Sequence, residues 1–148
     1  MAIVLEYEAE LACEVRVKKV ALLFGILVAC AVGNFLLNRA VPMPEWFSLF
    51  AHFSAGGLLT AWFIIAVWQW RDASDLHSAS FLKFFGTIMA WTALIGVLWE
   101  LFEFFMFQRG LPSQQWLYDD TIWDLVMDLL GGAVAACWYR IIDKSFVS

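Results

Sequence analysis

Four long apolar runs, residues 20–37, 46–70, 81–107 and the less apolar 121–139, constrain this chain more than anything else in it. Each can cross a hydrocarbon core about 30 Å thick, which takes about 20 helical residues. Inside lipid the backbone amides and carbonyls must pair within their own segment, so the runs predict helices. The fold class expected is all-α, a bundle of four transmembrane helices. Composition agrees: 63% of the 148 residues are hydrophobic and 16% charged, too few charges for an ordinary aqueous surface.

Basic residues set the orientation, because short cytoplasmic connections carry the excess of Lys and Arg. With the N-terminus inside, Arg16, Lys18, Lys19, Arg71, Lys83, Arg140 and Lys144 are cytoplasmic, and Arg39 and Arg109 lie outside. The bias predicts both termini in the cytoplasm and a multi-pass protein of the cell membrane. Trp46, Trp68, Trp70, Trp116 and Trp138 fall near span ends and read as interface anchors. A net charge of -5 offers no nucleic-acid footprint, so the bilayer is the first partner expected.

Residues 1–19 form a separate cytoplasmic arm. Ile3, Leu5, Tyr7, Ala9, Leu11, Cys13, Val15 and Val17 alternate with mostly charged residues, which is the period of a strand. The Glu, Ala and Leu content favours helix instead. As a strand the arm needs a second chain to pair with, so a homo-oligomer or a membrane protein partner is expected there. Residues 27–30, Leu-Val-Ala-Cys, resemble a lipoprotein cleavage box. The four glutamates before it and the apolar run continuing to Leu37 argue for an uncleaved first helix. Cys13, Cys30 and Cys137 make no CxxC pair and read as small apolar residues.

The chemistry gathers in one layer. Glu100 and Glu103 are three apart at the end of the third run, and Asp120, Asp124 and Asp128 are spaced by four in the fourth, so each set lines one helical face. His52 lies in the second run, with Gly56 one turn on and Gly57 beside it. At about 1.5 Å per residue, His52, Glu100, Glu103, Asp124 and Asp128 all fall roughly 6 to 12 Å inside the outer boundary. Asn34 reaches the same level. Asp119 and Asp120 stand at the expected helix start, where capping accounts for them as well as function does. Between the third and fourth runs, residues 108–119 form the longest outer loop, and His77 in the turn after the second run is a solvated residue.

An Asp at a helix centre costs on the order of 2.5 to 3.5 kcal/mol, so this many acids need an offset. No Lys or Arg in the sequence reaches their depth. Three remedies exist: a bound cation, protonation, or a water-filled cavity. Carboxylates with one imidazole make a hard shell suited to divalent Mg, Mn, Fe or Zn, with His52, Glu100, Glu103, Asp124 and Asp128 as the ligand set. The paired Glu-x-x-His steps of ferritin-like di-iron bundles are absent. Carboxylates that merely glue helices are the plainer alternative, although one or two polar groups suffice for that.

The run WELFE, followed by DDTIWDLVMDLLGG and preceded by a histidine in a Gly-containing helix, resembles the small bacterial YjdF-like membrane proteins and, more distantly, the VanZ-like family. The matching positions are His52, Glu100, Glu103, Asp124, Asp128 and Gly131, over the last two thirds of the chain. Glu103 and Asp128 stand where an amide residue is typical of VanZ-like proteins. The resemblance implies a site at these residues and no particular reaction.

Three functions follow from these readings. The first is a metal-binding membrane protein that acts on a lipid or lipid-linked substrate, with the cation as Lewis acid and a carboxylate as base. The second is a proton- or cation-coupled transporter or channel. The third is an accessory or assembly subunit that binds its partner through residues 1–19.

Overall fold

A computed structural model describes residues 2–41, 44–107 and 114–145. These residues are helical almost throughout and contain no strand. Helix α1 spans Ala2–Ala40, running without a break through the expected boundary at residue 19. The strand alternative for the arm is therefore wrong. The period-two pattern never meets a neighbouring strand, and in its absence intrinsic helix propensity prevails.

Helix α2 is one rod, Glu45–Arg71, with a π-helical segment at His52–Leu59 between α-helical ends Glu45–Ala51 and Thr60–Arg71. A short helix α3, Ala73–Ser78, follows, capped by Asp72, whose carboxylate accepts from the Asp75 amide at 2.9 Å. Helices α4, Phe81–Phe107, and α5, Gln114–Ser145, complete the fold. Among the described residues three helices are long and apolar enough to cross a membrane: Glu45–Arg71, Phe81–Phe105 and Asp120–Asp143. Their outer faces carry exposed Phe50, Leu94, Leu98, Phe104, Val134 and Ile141. Lipid tolerates such a surface, and water would not.

The bundle has two halves of opposite character. Toward α3, Ala61, Ile65, Leu76, Phe84, Ile88, Ala135, Ala136 and Tyr139 form the apolar core. Phe84 stacks on Tyr139 at 5.6 Å and on Trp68 at 6.1 Å, so three helices share one aromatic column. The same end is tied by polar contacts. Arg140 donates to the Ala79 carbonyl, lies over the Phe84 ring at 4.5 Å and pairs with Asp143 at 3.6 Å. Asp143 also holds His77 at 3.0 Å. The histidine expected as a solvated loop residue is exposed, but it stands on α3 and forms a clasp with α5.

Lipid-facing helices gain nothing by hiding apolar surface from other apolar surface, so their association rests on close packing. The tightest packing joins the π segment of α2 to α5. A Cβ on Gly57 would stand 2.8 Å from the Cα of Gly131, and one on Gly131 would strike the Phe53 carbonyl oxygen and reach 2.7 Å from the Leu58 nitrogen. The two backbones touch because neither glycine has a side chain. Helix α1 is attached differently. It leans on the Thr60–Arg71 half of α2, with Phe24 against Phe63 at 6.0 Å and Lys19 donating to Gln69 at 3.5 Å, and touches the π segment much less.

Candidate functional site

The second half of the bundle is polar. His52 is the first residue of the π segment, and its imidazole is buried between α4 and α5. Nδ1 lies 3.1 Å from Oδ1 of Asp128. On the other side of the ring, Nε2 lies 3.4 Å from Oδ2 of Asp124 and 4.0 Å from Oε1 of Glu100. Glu103 completes the group: one ligand atom from each of His52, Glu100 and Glu103 lies within 4.8 Å of the others. All five residues singled out by depth and spacing therefore meet around one imidazole. Asp128 occupies the Nδ1 side, and Asp124 and Glu100 occupy the Nε2 side.

Each side chain is positioned by its helix. The four-residue step from Asp124 to Asp128 brings both carboxylates to one face of α5, where they are 2% and 1% exposed. The three-residue step from Glu100 to Glu103 does the same on α4. Asp128 fits because it faces glycines: a Cβ on Gly56 would collide with its Oδ1, and one on Gly96 would approach its Oδ2 to 2.6 Å. Thr121 neighbours the Glu100 side chain and Trp99 that of Glu103.

A π turn bonds i to i+5 rather than i+4, so the face of α2 advances differently from an α-helix. His52 and Gly57, five apart, are both buried, whereas Gly56 is only partly so. The Thr60 hydroxyl bonds the Ala55 carbonyl, also five residues back, at 2.9 Å. Such segments are frequent at functional sites, and here one carries the only histidine of the polar layer.

Several carboxylate oxygens have no hydrogen-bond partner despite being buried: Oε1 of Glu100, Oδ1 of Asp124 and Oδ2 of Asp128. Among the described residues no lysine or arginine pairs with these acids. Buried acceptors of this kind cost several kcal/mol each when nothing offsets them. The arrangement can thus receive a cation or take up protons.

Some expectations change. Helix α5 begins at Gln114, so residues 114–119 are helix rather than outer loop, and Asp119 and Asp120 lie too far into it to be N-caps. Asp120 lies one turn before Asp124 on the same face of α5. The remaining outer-loop positions with Arg109, Gly110 and Pro112 lie outside the described residues. Thr121 and Trp99 were missed because a hydroxyl or an indole near a span end carries no distinctive spacing. The three cysteines are free and exposed.

No curated protein and no solved structure matches the chain. A family model, described as "Predicted membrane protein (DUF2238)", matches residues 2–145. The match spans nearly the whole helical fold, the His52 cluster included, and the chain belongs to this family of membrane proteins.

Proposed function

We propose that this protein binds a divalent metal ion inside the outer half of the cell membrane, through Nε2 of His52 and the carboxylates of Glu100, Glu103 and Asp124. The observation that carries the reading is the convergence of buried, unbonded carboxylate oxygens on one imidazole in a layer without a basic residue. Ligand atoms about 2.1 Å from a shared ion stand up to about 4.2 Å apart, so His52, Glu100 and Glu103, whose atoms lie within 4.8 Å of one another, need to close by about half an ångström, with Asp124 beside them at 3.4 Å from Nε2. Asp128 takes a different part from the one spacing gave it. Its bond to Nδ1 makes that nitrogen the proton donor and leaves the Nε2 lone pair for the metal, the usual carboxylate–histidine–metal relay.

The cation supplies Lewis acidity, and the site's place in the bilayer points to a lipid or lipid-linked substrate. The stretches that resemble YjdF-like and, more distantly, VanZ-like proteins include this cluster, which supports its being the functional centre. An apolar core of Ala61, Ile65, Phe84 and Ile88 closes the bundle toward α3, which favours a site over a conducting path. With α1 as a fourth span, the basic residues put both termini in the cytoplasm, which reporters fused to either end would verify.

The decisive experiment is elemental analysis of detergent-purified protein. Stoichiometric divalent metal in the wild type, lost in Glu103→Gln, supports the reading. Full stability of the wild type without metal, even after loading, overturns it.

A further inference from the structure

A cavity of about 570 Å³ opens between α1 and α2, bounded by α4 and by Asp128 of α5. It exists because α1 leans on the far half of α2 and stands away from the π segment. Its wall on α1 is built from small and apolar residues apart from Asn34, and at Gly33 an added Cβ would meet nothing within 4 Å. The cavity follows α1 from Phe24 to Leu37, about 20 Å at 1.5 Å per residue. A cavity of that length and volume has room for an extended polymethylene chain.

Most of the polarity lies in the outer part, where Asn34, His52, Ser54 and Asp128 line the cavity; Thr60, further along, gives its hydroxyl to the Ala55 carbonyl. Oδ2 of Asp128, on a side chain 1% exposed, has no hydrogen-bond partner. From His52 to Phe63 the cavity extends roughly 16 Å further, about the length of one lipid acyl chain, past the middle of the 30 Å hydrocarbon core. A largely apolar slot about half a bilayer long, with a buried, unpartnered carboxylate oxygen in its outer part, matches an amphiphile better than the apolar face of a helix, which would leave that oxygen unanswered.

We infer that the cavity holds one acyl chain of a membrane lipid, its polar end at His52 and Asp128 and its tail running toward Phe24 and Phe63. The inference rests on the proposed metal site for its chemical meaning: the lipid is the substrate class, and the slot presents its head group to the cation. Phe24, Phe63 and the α1 wall then select a chain, while the His52 layer acts on what the chain carries.

The test uses full-length protein in vesicles of phosphatidylethanolamine and phosphatidylglycerol, with a phosphatidylethanolamine bearing a diazirine on one acyl chain. Photolabelling is mapped by peptide mass spectrometry, and metal is measured on the same preparations. Adducts are expected on cavity residues of α1 and α2. Gly33→Leu, which fills open space, should lower them about tenfold, the effect of a modest overpacking penalty, with metal content unchanged. Glu103→Gln, outside the cavity, should lose metal and keep the adducts. Adducts only on outward-facing residues, unaltered by Gly33→Leu, overturn the acyl-chain site while leaving the metal reading intact. Cavity adducts on a wild-type protein that takes up no metal do the reverse. A crosslinked dimer through this face, without cavity adducts, also overturns the acyl-chain site.

Discussion

Nδ1 of His52 and Oδ1 of Asp128 lie 3.1 Å apart across the contact between the π segment of α2 and the middle of α5. The pair joins residues 76 positions apart and orients the imidazole toward Glu100 and Asp124. Asp128→Asn keeps an acceptor at that position but removes the negative charge that makes Nε2 a better donor to metal. Metal affinity should fall by about 10- to 100-fold, with one site still filled at saturation. Titration with Zn or Mn, alongside Glu103→Gln as the ligand loss, measures the difference.

The contact between Gly57 and Gly131 is made of backbone, so it cannot yield as a flexible side chain can. Gly131→Ala should cost about 1 to 3 kcal/mol through overpacking. Gly86→Ala, at a helical position where an added Cβ meets nothing within 4 Å, should be neutral or stabilise by up to about 1 kcal/mol. Thermal unfolding of both variants in one detergent compares them directly.

At the other end of the bundle, Arg140 joins a carbonyl, an aromatic face and a carboxylate. A lysine can supply the charge but not the flat guanidinium that lies on Phe84 while its edge donates to Ala79. Arg140→Lys should therefore destabilise by about 1 to 2 kcal/mol, the scale of a desolvated cation–π contact. Chemical denaturation, followed by tryptophan fluorescence, reports the loss.

Asp72 caps α3 outside the membrane-spanning segments. The Asp75 amide and then the Ser74 hydroxyl hold its carboxyl below the ordinary value of 3.8. A lowered folded pKa means that the stability it contributes is complete above about pH 4 and declines as pH falls through the lowered value. Protection of the Asp75 amide against hydrogen exchange should follow that course. In Asp72→Asn, which caps without titrating, the acid step should disappear.

The helices of the bundle were legible because apolar length is a local property: a run that can span lipid must satisfy its own backbone. Membership of the polar layer was legible for a related reason. Helical rise converts sequence position into depth, so His52, Glu100, Glu103, Asp124 and Asp128 could be assigned to one height before any packing was known. The arm was harder, since its alternating pattern and its helix propensity pointed in opposite directions. Only the lack of a neighbouring strand resolved it as part of α1.

Tertiary structure alone decided which nitrogen of His52 meets which acid. That depends on how far α2 and α5 approach and how the π segment rotates its face, and neither follows from residue spacing within one helix. Glycines at 57 and 131 permit close approach in any helix, but their meeting each other is a matter of register between two helices. The cavity beside α1 has the same origin. Its walls are ordinary apolar residues whose sequence signal is that of any lipid-facing helix, and the space arises only because α1 packs on one half of α2 and leaves the other uncovered.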